Sequence, residues 1–323
     1  MKCFLSRVLP CVLAACFFPL TAFAQAYPAK PVRVIVVFPP GGSNDVVARI
    51  VFQKMTETMG QQFLIDNRGG GAGSLGATVV AQSPADGYTL MVHSTTHIAN
   101  AHVYGSKLQY DTLRDFIGIT PLARQVAMAV VHPSLPVNSI KELIVLAKKR
   151  PGEIVFGSAG HGSYIQLTVE LLMSMTGTKM LHVPFKGGGP AGTALVSGET
   201  QLQIATIASV FTHVKAGRVR AIGVTSEKRS PQFPDVPAIA ETVPGYEFTA
   251  WVGAFAPAKT PRPIVDRLNA EFKKVVSDPD VASKLTAMTL DPMHMTVPQF
   301  AERLQSDHER YGKMLRALGT KVN

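Results

Sequence analysis

Short apolar runs alternate with amphipathic stretches through most of the chain, and their order predicts the fold. Val34-Ile35-Val36-Val37-Phe38 is an unbroken apolar run, the signature of a strand covered on both faces. It stops at Pro39-Pro40-Gly41-Gly42, after which Val46, Val47, Ile50, Val51 and Met55 recur at helical spacing. Residues 61–66 predict a second strand, an Ala- and Val-rich stretch to about Gln82 a helix, and residues 88–93 a third strand after the Asp86-Gly87 turn. Strand, helix, strand, helix, strand in this order implies a parallel sheet with right-handed crossovers.

Beyond a loop expected over 94–115, the pattern resumes with strands at 126–131, 153–156, 180–183, 202–205 and 219–225, and with helices at 139–149, to about Met175, and after Gly189. Gly157-Ser158-Ala159-Gly160-His161-Gly162-Ser163 repeats the opening device of a glycine-rich turn feeding a helix. Residues 232–245 are proline-rich and expected to be irregular, 248–255 predict a strand that crosses back, and 262–277, 279–288 and 297–318 predict helices. The expected class is α/β with two lobes around a cleft, each a mainly parallel sheet flanked by helices. Lobe 1 is then discontinuous, 25–123 with 248–323, and lobe 2 is 124–247.

Composition changes the picture mainly at the N-terminus. Lys2 and Arg7 precede an apolar stretch, and Ala22-Phe23-Ala24 fits cleavage before Gln25, so residues 1–24 read as a signal peptide. Leu13-Ala14-Ala15-Cys16 resembles a lipoprotein box that would leave Cys16 acylated, but apolar residues continue past it to the better cleavage site. All 3 cysteines lie in this leader, which excludes disulfides, thiolate catalysis and cysteine metal sites from the mature chain. A formal charge of +10 suits an anionic partner. The cations are scattered, however, with Lys148-Lys149-Arg150 the one run, and no aromatic-rich basic segment suggests nucleic acid.

The chemistry concentrates in the two turns. Ser43 or Asn44 is a natural N-cap, and first-turn N–H groups behind Gly41 and Gly42 attract anions without a cationic side chain. Ser158, Gly160, Gly162 and Ser163 suit backbone and hydroxyl donation to a carboxylate, which needs several such bonds to leave water. Three other readings are weaker. Gly71-Ala72-Gly73-Ser74-Leu75-Gly76 resembles a dinucleotide fingerprint but lacks the acidic residue that should end the next strand. His93, His97 and His102 have no carboxylate among them to complete a metal site. A secreted hydrolase using Ser158 or Ser163 remains as the rival, although neither serine sits in a G-x-S-x-G elbow.

From Tyr27 onward the chain resembles the Bug proteins, also called the TctC family, the periplasmic solute-binding receptors of tripartite tricarboxylate transporters. The similarity is carried by Tyr27-Pro28, Phe38 to Asp45 with Ala48-Arg49, Asp66-Asn67-Arg68, Asp86-Gly87-Tyr88-Thr89-Leu90, Tyr110-Asp111, His182-Val183-Pro184-Phe185-Lys186-Gly187, Ala216-Gly217-Arg218-Val219-Arg220-Ala221, Pro234-Asp235-Val236-Pro237 and Trp251 to Pro257. The resemblance implies a Venus-flytrap receptor of the type II periplasmic binding class, monomeric, without cofactor or metal, delivering a small organic carboxylate to membrane transporter subunits or a sensor protein. It implies that the carboxylate is gripped between Pro40, Gly41, Gly42, Ser43 and Asn44 on one lobe and Ser158, Ala159, Gly160, His161, Gly162 and Ser163 on the other. Ser94, Thr95, Thr96 and His97, with the strand end at Ala205 and Thr206, would line the remainder. Many relatives carry Asp-Asn where this chain has Ala205-Thr206, which weakens the case for a ligand with an ammonium group.

Overall fold

The computed structural model describes residues 27–318, so the expected signal peptide and the candidate lipoprotein box at Cys16 lie outside the described residues. The first apolar run forms β1 (Val32–Val36), and α1 (Ser43–Met59) follows the Pro-Pro-Gly-Gly turn. Next come β2 (Phe63–Asn67), α2 (Ser74–Ala81), β3 (Thr89–Ser94), α3 (Thr96–Val103) and the long strand β4 (Phe116–Val131). The middle of the chain gives α4 (Ile140–Lys149), β5 (Val155–Ser158), α5 (Tyr164–Thr176), β6 (Leu181–Pro184), α6 (Gly188–Val196), β7 (Leu202–Thr206), α7 (Ile207–Lys215) and β8 (Arg220–Val224). The chain ends with β9 (Thr249–Pro257), α8 (Arg262–Val276), α9 (Pro279–Ala287), β10 (Leu290–Pro292) and α10 (Val297–Leu318).

The strands lie in the order β2-β1-β3-β9-β4-β7-β5-β6, with β8 and β10 branching from β4. Strands β2, β1 and β3 are mutually parallel, as are β7, β5 and β6, while every pairing of β4 or β9 is antiparallel. Two parallel groups, the β1 side and the β5 side, are therefore joined through antiparallel strands. Val34 to Val37 have no exposed surface, as a run covered on both faces requires. The C-terminal helix returns to the β1 side: buried Trp251 on β9 donates through Nε1 to Asp307 of α10 at 2.8 Å, and Asp307 also accepts from Arg303.

Three expectations are corrected. The stretch 94–115 is not all loop, because α3 lies within it; Thr96, His97, Ile98, Ala99 and Asn100 are all buried, so no polar face marks the helix in the sequence. Helix α7 was not anticipated between the strands at 202–205 and 219–225. The strand expected at 126–131 begins ten residues earlier, at Phe116, and pairs with β9 before reaching β7 and β8. Both β4 and β9 thus connect the two sides, where only residues 248–255 were expected to cross.

Candidate functional site

A cavity with about 30 Å³ of room for water-sized groups lies between the β1 and β5 sides. Its walls are helix starts. Gly42, Ser43 and Asn44 begin α1, Ser94 and Thr96 lead into α3, Ser163, Tyr164 and Ile165 begin α5, Gly188 begins α6, and Thr206 precedes α7. Phe38, Ala159 and Gln125 complete the lining, and no lining residue carries a formal charge. Five helix N-termini on one cavity sum to a field that favours negative charge, and their first-turn N–H groups have no intrahelical acceptor.

The start of α1 is held by its own side of the molecule. Its first helical bond runs from Val46 N–H to Gly42 O, which leaves the N–H groups of Ser43 to Asp45 without an acceptor in the helix. The Asp45 carboxylate turns back to accept from Gly41 N–H at 3.0 Å, from Arg49 Nε at 3.0 Å and from Asn67 Nδ2 at 2.9 Å. Asn67 Nδ2 also donates to Phe38 O at 2.9 Å, tying the turn to the end of β2. Asp45 is therefore spent on the scaffold and does not face a ligand.

The start of α5 is completed from across the cavity. Ser163 Oγ accepts from Gln166 N–H at 3.3 Å, and Gln166 Oε1 accepts from Gly162 N–H at 2.6 Å. Tyr164 N–H donates to Thr96 Oγ1 of α3 at 3.0 Å, and Tyr104 OH donates to His161 O at 3.0 Å. Close packing joins the same faces: a Cβ on Gly187 would lie 2.7 Å from Pro39 Cδ, and one on Gly162 would lie 2.9 Å from Val103. Buried Tyr164 donates its hydroxyl to Phe248 O at 2.9 Å, and burial raises its pKa, so the ring stays neutral.

Of the residues expected at the site, Gly42, Ser43, Asn44, Ser94, Thr96, Ala159, Ser163 and Thr206 meet at this cavity. The rest do not line it. Pro40 and Gly41 are exposed at the turn. Thr95 anchors α3, donating its N–H to Trp251 O at 3.2 Å and accepting from Ile98 and Ala99. His97 is fully buried behind the wall among Phe116, Phe255, Tyr110 and His93, with ring centroids 4.9 to 5.9 Å away, and burial pushes it down to about 3. Ala205 is buried within β7, next to the lining residue Thr206.

In the second turn, Ser158 shapes the loop instead of facing the cavity. Its Oγ contacts Gly160 N and O at 3.1 Å and His182 Nε2 at 2.5 Å. Gly160 packs toward Ala72, Gly162 toward Val103, and the His161 side chain is exposed. Burial, and then neighbouring His161, pushes His182 down to about 4, and among the described residues no carboxylate hydrogen-bonds its ring to orient it as a base. His93 and His97 adjoin, but His102 instead contacts His308, and no group able to hold a metal ion occurs among the described residues.

Phe38, Gln125, Tyr164, Ile165 and Gly188 line the cavity without having been expected there. Four of them adjoin motifs already singled out and could be found by extending each turn by a residue or two. Gln125 had a different signal, an amide immediately ahead of the apolar run Val126 to Val131, but the expected strand began one residue after it.

A family described as "Tripartite tricarboxylate transporter family receptor" matches residues 47–320. Among solved structures, the chain is similar to Rpa4515 of R. palustris, described with adipate, at 33% identity and a TM-score of 0.89, over 92% of this chain and 100% of that one. It is similar to the periplasmic binding protein BugD at 27% identity and a TM-score of 0.88, over 92% and 100% of the two chains. MatC (Rpa3494) from Rhodopseudomonas palustris, described with bound malate, matches at 30% identity and a TM-score of 0.83, over 90% and 100%. The matching family is one of receptors and BugD is a periplasmic binding protein, so the hydrolase reading of Ser158 or Ser163 is set aside. Among the described residues no helix is long and apolar enough to cross a membrane.

Proposed function

We propose a carrier of small organic carboxylates, on the premise that the chain belongs to the tripartite tricarboxylate transporter receptor family. The observation that carries this reading is the convergence of five helix N-termini on a cavity whose lining has no charged side chain. Such a site binds an anion through backbone N–H groups and hydroxyls, and it leaves no buried cation unpaired when the ligand departs. The adipate and malate described for Rpa4515 and MatC point to the same class of ligand.

In this reading residues 25–123 with 248–323 form one lobe and 124–247 the other, hinged where β4 and β9 pass between them. Ligand binds the closed form better and so shifts the population toward it. The closed carrier works as a monomer in the periplasm and delivers its cargo to the membrane subunits of a transporter. Thermal melting of the purified chain with adipate, malate and citrate, each beside its uncharged amide, tests the claim. An acid at a hundred times its Kd adds about 2.7 kcal/mol and raises Tm, while the amide does not. Equal shifts by acid and amide would rule out an anion site.

A further inference from the structure

We infer that Gln125 reads a second polar group on the bound carboxylate, and that the receptor thereby selects hydroxy acids over the same acids without the hydroxyl. The inference rests on the anion-binding reading of the cavity and goes beyond it. Gln125 lines the cavity from β4, on the strand that joins the two sides, and is 2% exposed. Its Oε1 has no hydrogen-bond partner among the described residues, and neither has Nδ2 of Asn44, which lines the same cavity and is 3% exposed.

Strand register explains why this amide reaches the ligand. Gln125 stands opposite Ala250 of β9, and Ala127, two residues on, stands opposite Thr206 of β7. Ser94 of β3 stands opposite Val252, two residues from Ala250. Facing residues of an antiparallel pair share a sheet face, and that face repeats every second residue. Ser94, Gln125 and Thr206 therefore project together, while the helix starts close over them.

The two amides fall into different surroundings. Asn44 belongs to the first turn of α1, where the field favours the anionic end of a ligand. Gln125 lies on the sheet, between buried Ala123 and Ala127 on its own face of the strand, where an alkyl chain would leave a buried amide unsatisfied. An ammonium group finds no counter-charge in the lining. A carboxylate can accept from the amide nitrogen but offers nothing to Oε1. A hydroxyl both donates and accepts, so it satisfies the amide whichever way the amide is turned. Leaving such a group unpaired corresponds to roughly ten- to a hundredfold in affinity.

Isothermal titration of the purified protein with matched pairs decides the matter: malate against succinate, 3-hydroxybutyrate against butyrate, mandelate against phenylacetate. In every pair of which a member binds, the hydroxy acid is expected to bind at least about tenfold tighter. Gln125→Leu is expected to erase that margin by weakening the hydroxy acid, leaving its partner unchanged or tighter. Equal affinities within the pairs for the unaltered protein, as when a water satisfies the amide, overturn the inference but leave the anion site standing. A margin that survives Gln125→Leu also overturns it. Absence of binding by every acid overturns both. If Gln125→Leu does not fold, the pairs on the unaltered protein decide alone.

Discussion

At the start of α1, the hydrogen bonds that fix the turn come from the β1 side: Asp45, Arg49, Asn67 and the Gly41 N–H form one cluster around a carboxylate that is 4% exposed. At the start of α5, Ser163 and Gln166 supply only part of the scaffold, and the Tyr164 N–H finds its acceptor in Thr96, across the cavity. One rim is set whether or not the halves meet, whereas the other is finished by their meeting. A receptor needs both kinds. On the proposed reading, the fixed rim presents donors to an arriving anion, and the conditional rim lets closure depend on what lies between.

Two glycines break this comparison most sharply. Gly41 and Gly162 both have positive φ, +86° and +75°, but no atom lies within 4 Å of a Cβ on Gly41, whereas one on Gly162 runs into Val103 of the opposite side. Gly162→Val adds backbone strain of about 1–3 kcal/mol, felt with and without ligand, to overpacking of about 1–3 kcal/mol felt on closure, and the latter should weaken adipate or malate roughly five- to a hundredfold by titration. Most of the overpacking disappears when the halves part, so Tm of the ligand-free protein, which keeps only the strain, should fall less than that of the liganded protein. Gly41→Val carries the strain alone, and its cost should appear equally with and without ligand. A Gly162→Val protein that binds normally would remove the closing contact from the account.

The polar anchors sharpen the contrast at a smaller scale. Asp45→Ala removes an acceptor shared by three donors of the β1 side and should lower unfolding free energy in urea by about 1–3 kcal/mol without ligand. Thr96→Val should leave that number nearly unchanged, because an open Tyr164 N–H is hydrated, and should instead weaken ligand binding roughly five- to a hundredfold. If the two variants exchange these effects, the division between a fixed and a conditional rim is wrong.

The smallest effect concerns protons. Burial holds His97 of the β1 side neutral, down to about 3, and His182 of the β5 side down to about 4. Unfolded imidazole takes up its proton near pH 6.5, so this contribution to stability is full above that value and is lost as pH falls from about 6.5 toward the depressed values. For fully buried His97 the loss at pH 6 is roughly 1 kcal/mol. Urea melts at pH 7.5 and 6 should therefore show a flatter pH dependence for His97→Phe than for the unaltered chain, and a lesser flattening for His182→Gln. An unchanged slope in His97→Phe would show that the ring is not held neutral.

Local sequence determined much of this molecule. The apolar run before Pro39, the turn at Gly41-Gly42, the Ser163 cap and the three C-terminal helices are short-range features, and their periodicity and turn chemistry act within a few residues. Helix α3 escaped because burial on nearly all sides erases amphipathic spacing, and the early half of β4 because its partners lie far along the chain in β9 and β10. Only the tertiary structure decided which residues line the cavity. His97 was sent into an aromatic core and Ser158 into its own loop, while Gln125, Tyr164, Ile165 and Gly188 were brought to the cavity. The reason is physical: a turn can prescribe an open N–H in its own backbone, but what stands opposite that N–H depends on strand register and on two halves meeting, which no single stretch of chain encodes.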